Sequence, residues 1–300
     1  MMTPHTPSQS AAQRPRAASV ARLGAIAYLN VAPVYDWIVR AARAGEAPGI
    51  ELVEGTPARM NRALDAGIVD ISNVSSFAFG AHAREWLLAP HLSVSAHGRV
   101  DSVLLFSWSA DWRALDGGSI ALTDHSATSV ELTRLLVERR YGAHPRYATL
   151  APDLDAMLME HDAALLIGDI ALREGCLRRD IAGRGRPYVF DLAAEWQTWT
   201  GLPFVFAVWA ARADRIEAVR AAGVTRLLRA STSRGLADLP RLAAEASARL
   251  GLPEAVCADY LRLLDYDLTD RELEGLRLFL EMAVPDFSWT SVRLLDERPL

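Results

Sequence analysis

Two apolar runs constrain this chain more than any other feature. DSVLLFSW at residues 101–108 and FVFAVW at residues 204–209 have the length and the β-branched and aromatic content of buried strands. The segment between them alternates strand and helix patterns on its own, and so does the segment before them. A chain of this kind leaves one lobe, builds a second and returns to finish the first. The expected fold class is therefore α/β and two-lobed: two α/β lobes joined by two crossover strands, with a helical C-terminal segment and a hinged cleft between the lobes. Residues 21–104 plus 207–300 are assigned to lobe 1 and 105–206 to lobe 2. Residues 1–20, polar and rich in Pro, Ser, Gln and Ala, are assigned to a disordered tail.

Within lobe 1, residues 22–29 (RLGAIAYL) read as a strand ending at Asn30, and Pro33 opens a helix to about Arg43. Residues 50–54 form a second strand. Thr56 then caps a helix with Pro57 at its first position and Gly67 just past its end. A third strand at 69–74 breaks at Ser75 and Ser76. This β-α-β-α-β order specifies a parallel sheet, and ligands bind such sheets outside the carboxyl ends of the strands. Asn30 and the Ser75-Ser76 pair fall there. A short helix is expected at 81–86, followed by a strand at 91–96.

In lobe 2, strand residues 120–122 run into a polar loop and a helix starting Thr128-Ser129-Val130-Glu131. Thr128 and Glu131 have capping-box spacing. The helix start and the hydroxyls of Ser126, Thr128 and Ser129 suit a carboxylate or phosphate, although the same residues also fit an ordinary capped helix. A strand at 163–167 ends at Gly168-Asp169. Residues 195–209 begin aromatic and polar and finish as a strand, and residues 213–283 read as helices.

Composition narrows the chemistry. The formal net charge of -5 lacks the basic footprint of a nucleic-acid-binding domain. All 32 basic residues are Arg, with no Lys, which excludes Schiff-base and Walker-type lysine chemistry. Cys176 and Cys257 are far apart, and His91 and His97 share no helical face, so neither a disulfide framework nor a metal site is expected. No apolar signal segment follows Arg14 and Arg16, and no run reaches the ~18 apolar residues of a membrane span. A soluble, cytoplasmic protein without membrane or nucleic-acid partners is expected; its oligomeric state is left open.

Six segments together resemble a known group: Tyr28-Leu29-Asn30, Ser75-Ser76, Arg99-Val100-Asp101-Ser102-Val103, Ser126-x-Thr128-Ser129, Leu165-Leu166-Ile167-Gly168-Asp169 and Trp199-Thr200-Gly201-Leu202-Pro203-Phe204. In this order, over residues 22–283, they resemble the chorismate dehydratases of the futalosine route to menaquinone, whose fold is that of type II periplasmic solute-binding proteins. The resemblance implies a hydro-lyase that turns chorismate, a dicarboxylate, into 3-[(1-carboxyvinyl)oxy]benzoate and water without a cofactor. It implies that Asn30 and Ser102 stand nearest the reacting carbons, hydrogen-bonding the departing hydroxyl or the ring carboxylate. Ser126, Thr128 and Ser129 would anchor a carboxylate, with Ser75 and Ser76 reaching in from the other lobe. Gly168 would allow close backbone approach, while Thr200 and Phe204 would wall the cleft. Asp169 is carried with this substrate-binding set, though its carboxylate suits a cap on the following helix better.

The remaining alternatives are dihydroxynaphthoate synthase of the same route and a non-catalytic solute-binding protein for a small carboxylate. His97, His125, Asp101 and Asp169 are the titratable candidates near the cleft, and none is expected to be the essential base. The substrate's own enolpyruvyl carboxylate is expected to take the ring proton.

Overall fold

The structure, a computed structural model, describes residues 20–295; the tail assigned to residues 1–20 lies outside it except for its last residue. Lobe 1 begins with β1 (Ala21–Ala25), α1 (Ala32–Arg43), β2 (Ile50–Glu54), α2 (Pro57–Asp65), β3 (Ile71–Ser75), α3 (Ser76–Ala81) and β4 (Trp86–Ala96). β1 pairs in parallel with both β2 and β3, as the strand–helix alternation predicts. Thr56 caps α2 by accepting the Arg59 amide at 3.4 Å, and Pro57 follows it. The helix expected at 81–86 starts earlier, at Ser76. The Ser75 hydroxyl accepts the Ala78 amide (3.2 Å) and caps α3 directly at the strand end.

Lobe 2 runs through β5 (Val103–Ser107), β6 (Ser119–Thr123), α4 (Ala127–Arg134), β7 (Arg146–Leu150), α5 (Leu154–Glu160), β8 (Ala163–Ile167), α6 (Gly168–Leu177), β9 (Tyr188–Asp191) and α7 (Leu192–Thr200). Its five-stranded sheet has the order β7-β6-β8-β5-β9. The chain returns through β10 (Phe204–Arg212) into α8 (Ile216–Ala221), α9 (Val224–Ala237), α10 (Leu239–Leu250), α11 (Glu254–Leu263), β11 (Leu264–Asp265), α12 (Asp270–Ala283) and β12 (Arg293–Leu294). β10 inserts antiparallel between β3 and β4, giving a seven-stranded sheet with β11 and β12 beside β4.

The crossings differ from the expectation. β5 pairs throughout with β8 and β9, and β10 throughout with β3 and β4. Neither strand therefore spans the lobes, and the chain crosses in loops at residues 97–102 and 201–203. Both apolar runs are interior strands of one sheet each, which is why they look alike in sequence. The first crossing is fixed by one carboxylate. Asp191 accepts the Val100 and Asp101 amides at 2.8 and 2.7 Å, while its other oxygen accepts those of Ala193 and Ala194 at the start of α7. Asp101 is held at φ +59°, a left-handed conformation that Asp tolerates better than most residues.

Packing joins the lobes beside the second crossing. Trp196 of α7 meets Phe204 of β10 and Phe279 of α12 edge-on, with ring centroids 5.3 and 6.2 Å away. Such pairs add about 0.5–1.5 kcal/mol each beyond area burial.

Candidate active site

A cavity lies between the lobes at the carboxyl ends of β1 and β3. Among the described residues no Arg lines it. An anion there is met by amides, hydroxyls and the starts of α4 and α6.

Among the described residues, two side chains in this cavity have buried polar atoms with no partner. Asn30 sits in a single helical turn, Leu29–Val31, immediately after β1. Its Oδ1 is buried and accepts nothing. Asn73 lies in mid-β3, 5% exposed, and its Nδ2 is buried without an acceptor. Buried polar atoms are nearly always satisfied, so an acceptor and a donor without a protein partner suit a bound polar molecule. The sequence reading missed Asn73. Its signal was the strand pattern itself: a carboxamide inside ISNVS breaks local β preference, and such breaks concentrate at functional sites.

Ser102 lines the cavity at the crossing. Its Oγ accepts the Tyr260 hydroxyl at 2.9 Å and its carbonyl accepts the Gly168 amide at 2.7 Å. Because Tyr260 already donates to Ser102, the serine's own proton remains for a ligand. Ser75 lines the opposite wall and accepts from Asn61 Nδ2 (3.2 Å) as well as capping α3. Ser126 and Ser129 line the α4 end. Ser126 Oγ accepts the Ser129 amide and donates to Ser129 Oγ, both at 3.0 Å. Gly168 lines the cavity at φ +64°, and a Cβ there would lie 3.2 Å from the Tyr28 ring.

Five expected site residues sit elsewhere. α4 starts at Ala127 with Ser126 as its cap, so Thr128 is inside the helix and forms no capping box. Its hydroxyl instead accepts the Phe77 amide of the other lobe at 3.0 Å. Ser76 is completely buried and donates to the Val205 carbonyl at 2.7 Å. Thr200 donates to the Trp196 carbonyl (2.9 Å) and accepts the Leu202 amide. Phe204 is sealed among aromatic rings, while Phe206, beyond an irregularity in the β10–β4 pairing, lines the cavity. Asp169 does not cap α6, whose start has no side-chain cap. It reaches across the cleft, accepting the Leu29 amide at 3.1 Å and pairing with Arg249 at 2.8 Å.

Of the four titratable candidates, His125 lines the cavity, with Nδ1 3.4 Å from the Tyr28 hydroxyl. Burial, with Asp169 and Asp124 nearby, raises the Tyr28 phenol above its ordinary pKa. His97 is bound to Glu272 at 2.6 Å. His97, Asp265 and Glu272 offer ligand atoms within 4.8 Å of one another, but none of the three lines the cavity.

The family described as menaquinone biosynthesis matches residues 21–285. The chain is 34% identical over 268 residues to the chorismate dehydratase of Thermus thermophilus, covering 86% of this chain and 93% of that one. A protein from Archaeoglobus fulgidus superposes with TM-score 0.64 at 18% identity, covering 88% of this chain and 96% of its own. The periplasmic aliphatic sulphonate binding protein SsuA of Escherichia coli gives 0.61 at 17%, covering 88% and 91%. The alkanesulfonate-binding SsuA of Xanthomonas axonopodis pv. citri, bound to MOPS, gives 0.61 at 15%, covering 93% and 99%. At these identities the structural likeness establishes the periplasmic-binding-protein fold and nothing more. No helix among the described residues is long and apolar enough to cross a membrane.

Proposed function

The chain belongs to the menaquinone biosynthesis family, and we propose that it is a chorismate dehydratase working in the cytoplasm on the futalosine route. The reaction converts chorismate to 3-[(1-carboxyvinyl)oxy]benzoate and water. The observation that carries this reading at the site is the pair of carboxamide atoms without a protein partner, Asn30 Oδ1 and Asn73 Nδ2, in a cavity rich in hydroxyls and, among the described residues, free of Arg.

The ring proton beside the ether leaves with the hydroxyl of the adjacent carbon, and the ring becomes aromatic. The overall step is downhill, so the protein's task is to hold a dianion still and steady the charge that moves into the ring carboxylate. Asn30 and Ser102 serve the departing hydroxyl or that carboxylate, Ser126 and Ser129 hold one carboxylate at the α4 start, and Ser75 reaches in from β3. The enolpyruvyl carboxylate of the substrate removes the proton. Asp169 has both oxygens engaged, and His125 is the titratable candidate left in the cavity.

Mixing the protein with chorismate, without metal or nucleotide, should abolish the diene absorbance and produce an aromatic product. Binding without turnover would overturn the assignment and leave a solute-binding protein. A pH–rate profile with a histidine-like pKa that disappears in His125→Ala would reject the substrate as base.

A further inference from the structure

Asn30 is carried by a short turn that leads into α1 and is closed by the Val31 amide on the Tyr28 carbonyl and the Ala32 amide on the Leu29 carbonyl. The single turn Leu29–Val31 is preceded by Tyr28, which makes no side-chain cap bond, so its leading amide needs an outside acceptor. That acceptor comes from the other lobe: Asp169 Oδ1 takes the Leu29 amide at 3.1 Å. The other Asp169 oxygen is held at 2.8 Å by Arg249, on α10 of the first lobe. The Asp169 side chain is only 15% exposed although neither of its oxygens faces the cavity. The residue before it, Gly168, lies against the Tyr28 ring and is tied through its amide to the Ser102 carbonyl. Two consecutive residues of lobe 2 thus fix both Tyr28 and Leu29, the neighbours that precede Asn30.

We propose that Asp169 and Arg249 are positioning residues for Asn30, capping its turn only when the lobes are closed, so that closure and assembly of the reactive geometry are one event. A helix cap supplied in trans performs the step that lids and hinges perform elsewhere. Arg249 orients the carboxylate, and Asp169 orients the turn. This deepens the dehydratase reading and depends on it for the role of Asn30.

The test uses the full chain with Asp169→Ala, Asp169→Asn, Arg249→Met and the double variant Asp169→Ala/Arg249→Met. Hydrogen exchange of the peptide spanning residues 27–31 should rise in Asp169→Ala and Arg249→Met, whatever the protein does to chorismate. On chorismate, Asp169→Ala should lower kcat roughly tenfold per folded molecule, the scale of one charge-assisted hydrogen bond. Asp169→Asn keeps an acceptor for Leu29 and should recover part of that loss. Adding Arg249→Met to Asp169→Ala should cost nothing more, because Arg249 acts through Asp169. Unchanged exchange at 27–31 overturns the proposal, as does raised exchange with kcat per folded molecule intact, which would mark an ordinary stabilising ion pair. If the wild-type protein leaves chorismate untouched, the dehydratase reading fails instead, and the exchange data alone decide whether the turn is capped from across the cleft.

Discussion

A buried carboxamide nitrogen without an acceptor costs about 1–3 kcal/mol, and Asn73 carries that cost in the middle of an interior strand. Leu has nearly the same shape and no such need. Asn73→Leu should therefore fold at least as stably as the wild type while losing roughly tenfold or more in kcat/KM, the worth of one hydrogen bond to a charged group. Steady-state kinetics together with urea unfolding check this, and a variant as active as the wild type would remove Asn73 from the site. At this scale the sequence reading reached polar residues beside strand ends and helix starts. Asn30, Ser75, Ser102, Ser126, Ser129 and Gly168 all line the cavity. It pointed poorly where a hydroxyl had a nearer backbone partner. Ser76 and Thr200 each donate to a carbonyl, one of them 129 residues away in the chain, and spacing along a sequence does not reveal such a neighbour.

Among the elements, α3 and α4 approach each other from opposite lobes, and Thr128 links them through the Phe77 amide. Thr128→Val preserves shape and removes the acceptor, leaving that half-buried amide without its partner. Stability should fall by about 1–2 kcal/mol, read as a lower urea midpoint at unchanged m. A midpoint equal to the wild type's would show that water replaces the hydroxyl. The order and type of strands and helices were legible because their periodicities are strong, as with the Thr56–Pro57 start of α2. The paths of the two crossings were not. An apolar strand interior to one sheet has the same sequence as one running between two, and the pairing partners of β5 and β10 are facts about distant residues.

For the molecule as a whole, cleft chemistry and fold stability are held at opposite ends of the first sheet. Asp70, completely buried just before β3, accepts the Arg22 amide at 2.8 Å and both the Arg22 and Arg215 guanidinium groups. Burial pushes its carboxyl up, but the hydrogen bonds from Arg22 and Arg215 outweigh it and hold the pKa below the ordinary value. A lowered folded-state pKa contributes stability that is complete above the unfolded value and is lost as pH falls through the folded one. Asp70→Asn should cost about 2 kcal/mol at neutral pH and flatten the fall in stability below about pH 4. Because Asn30 and Ser75 lie at the carboxyl ends of β1 and β3, away from Asp70 at the start of β3, kcat per folded molecule should not change. Thermal unfolding across pH, with parallel rate measurements, tests both halves.

The lack of Arg in the cavity bears on traffic through it. Acid and benzoate carry identical formal charge, so a fixed ammonium or guanidinium would grip what arrives and what departs alike, deepening both wells without lowering the barrier between them. Neutral dipoles grip both less firmly than a fixed cation would, and so favour release of the product.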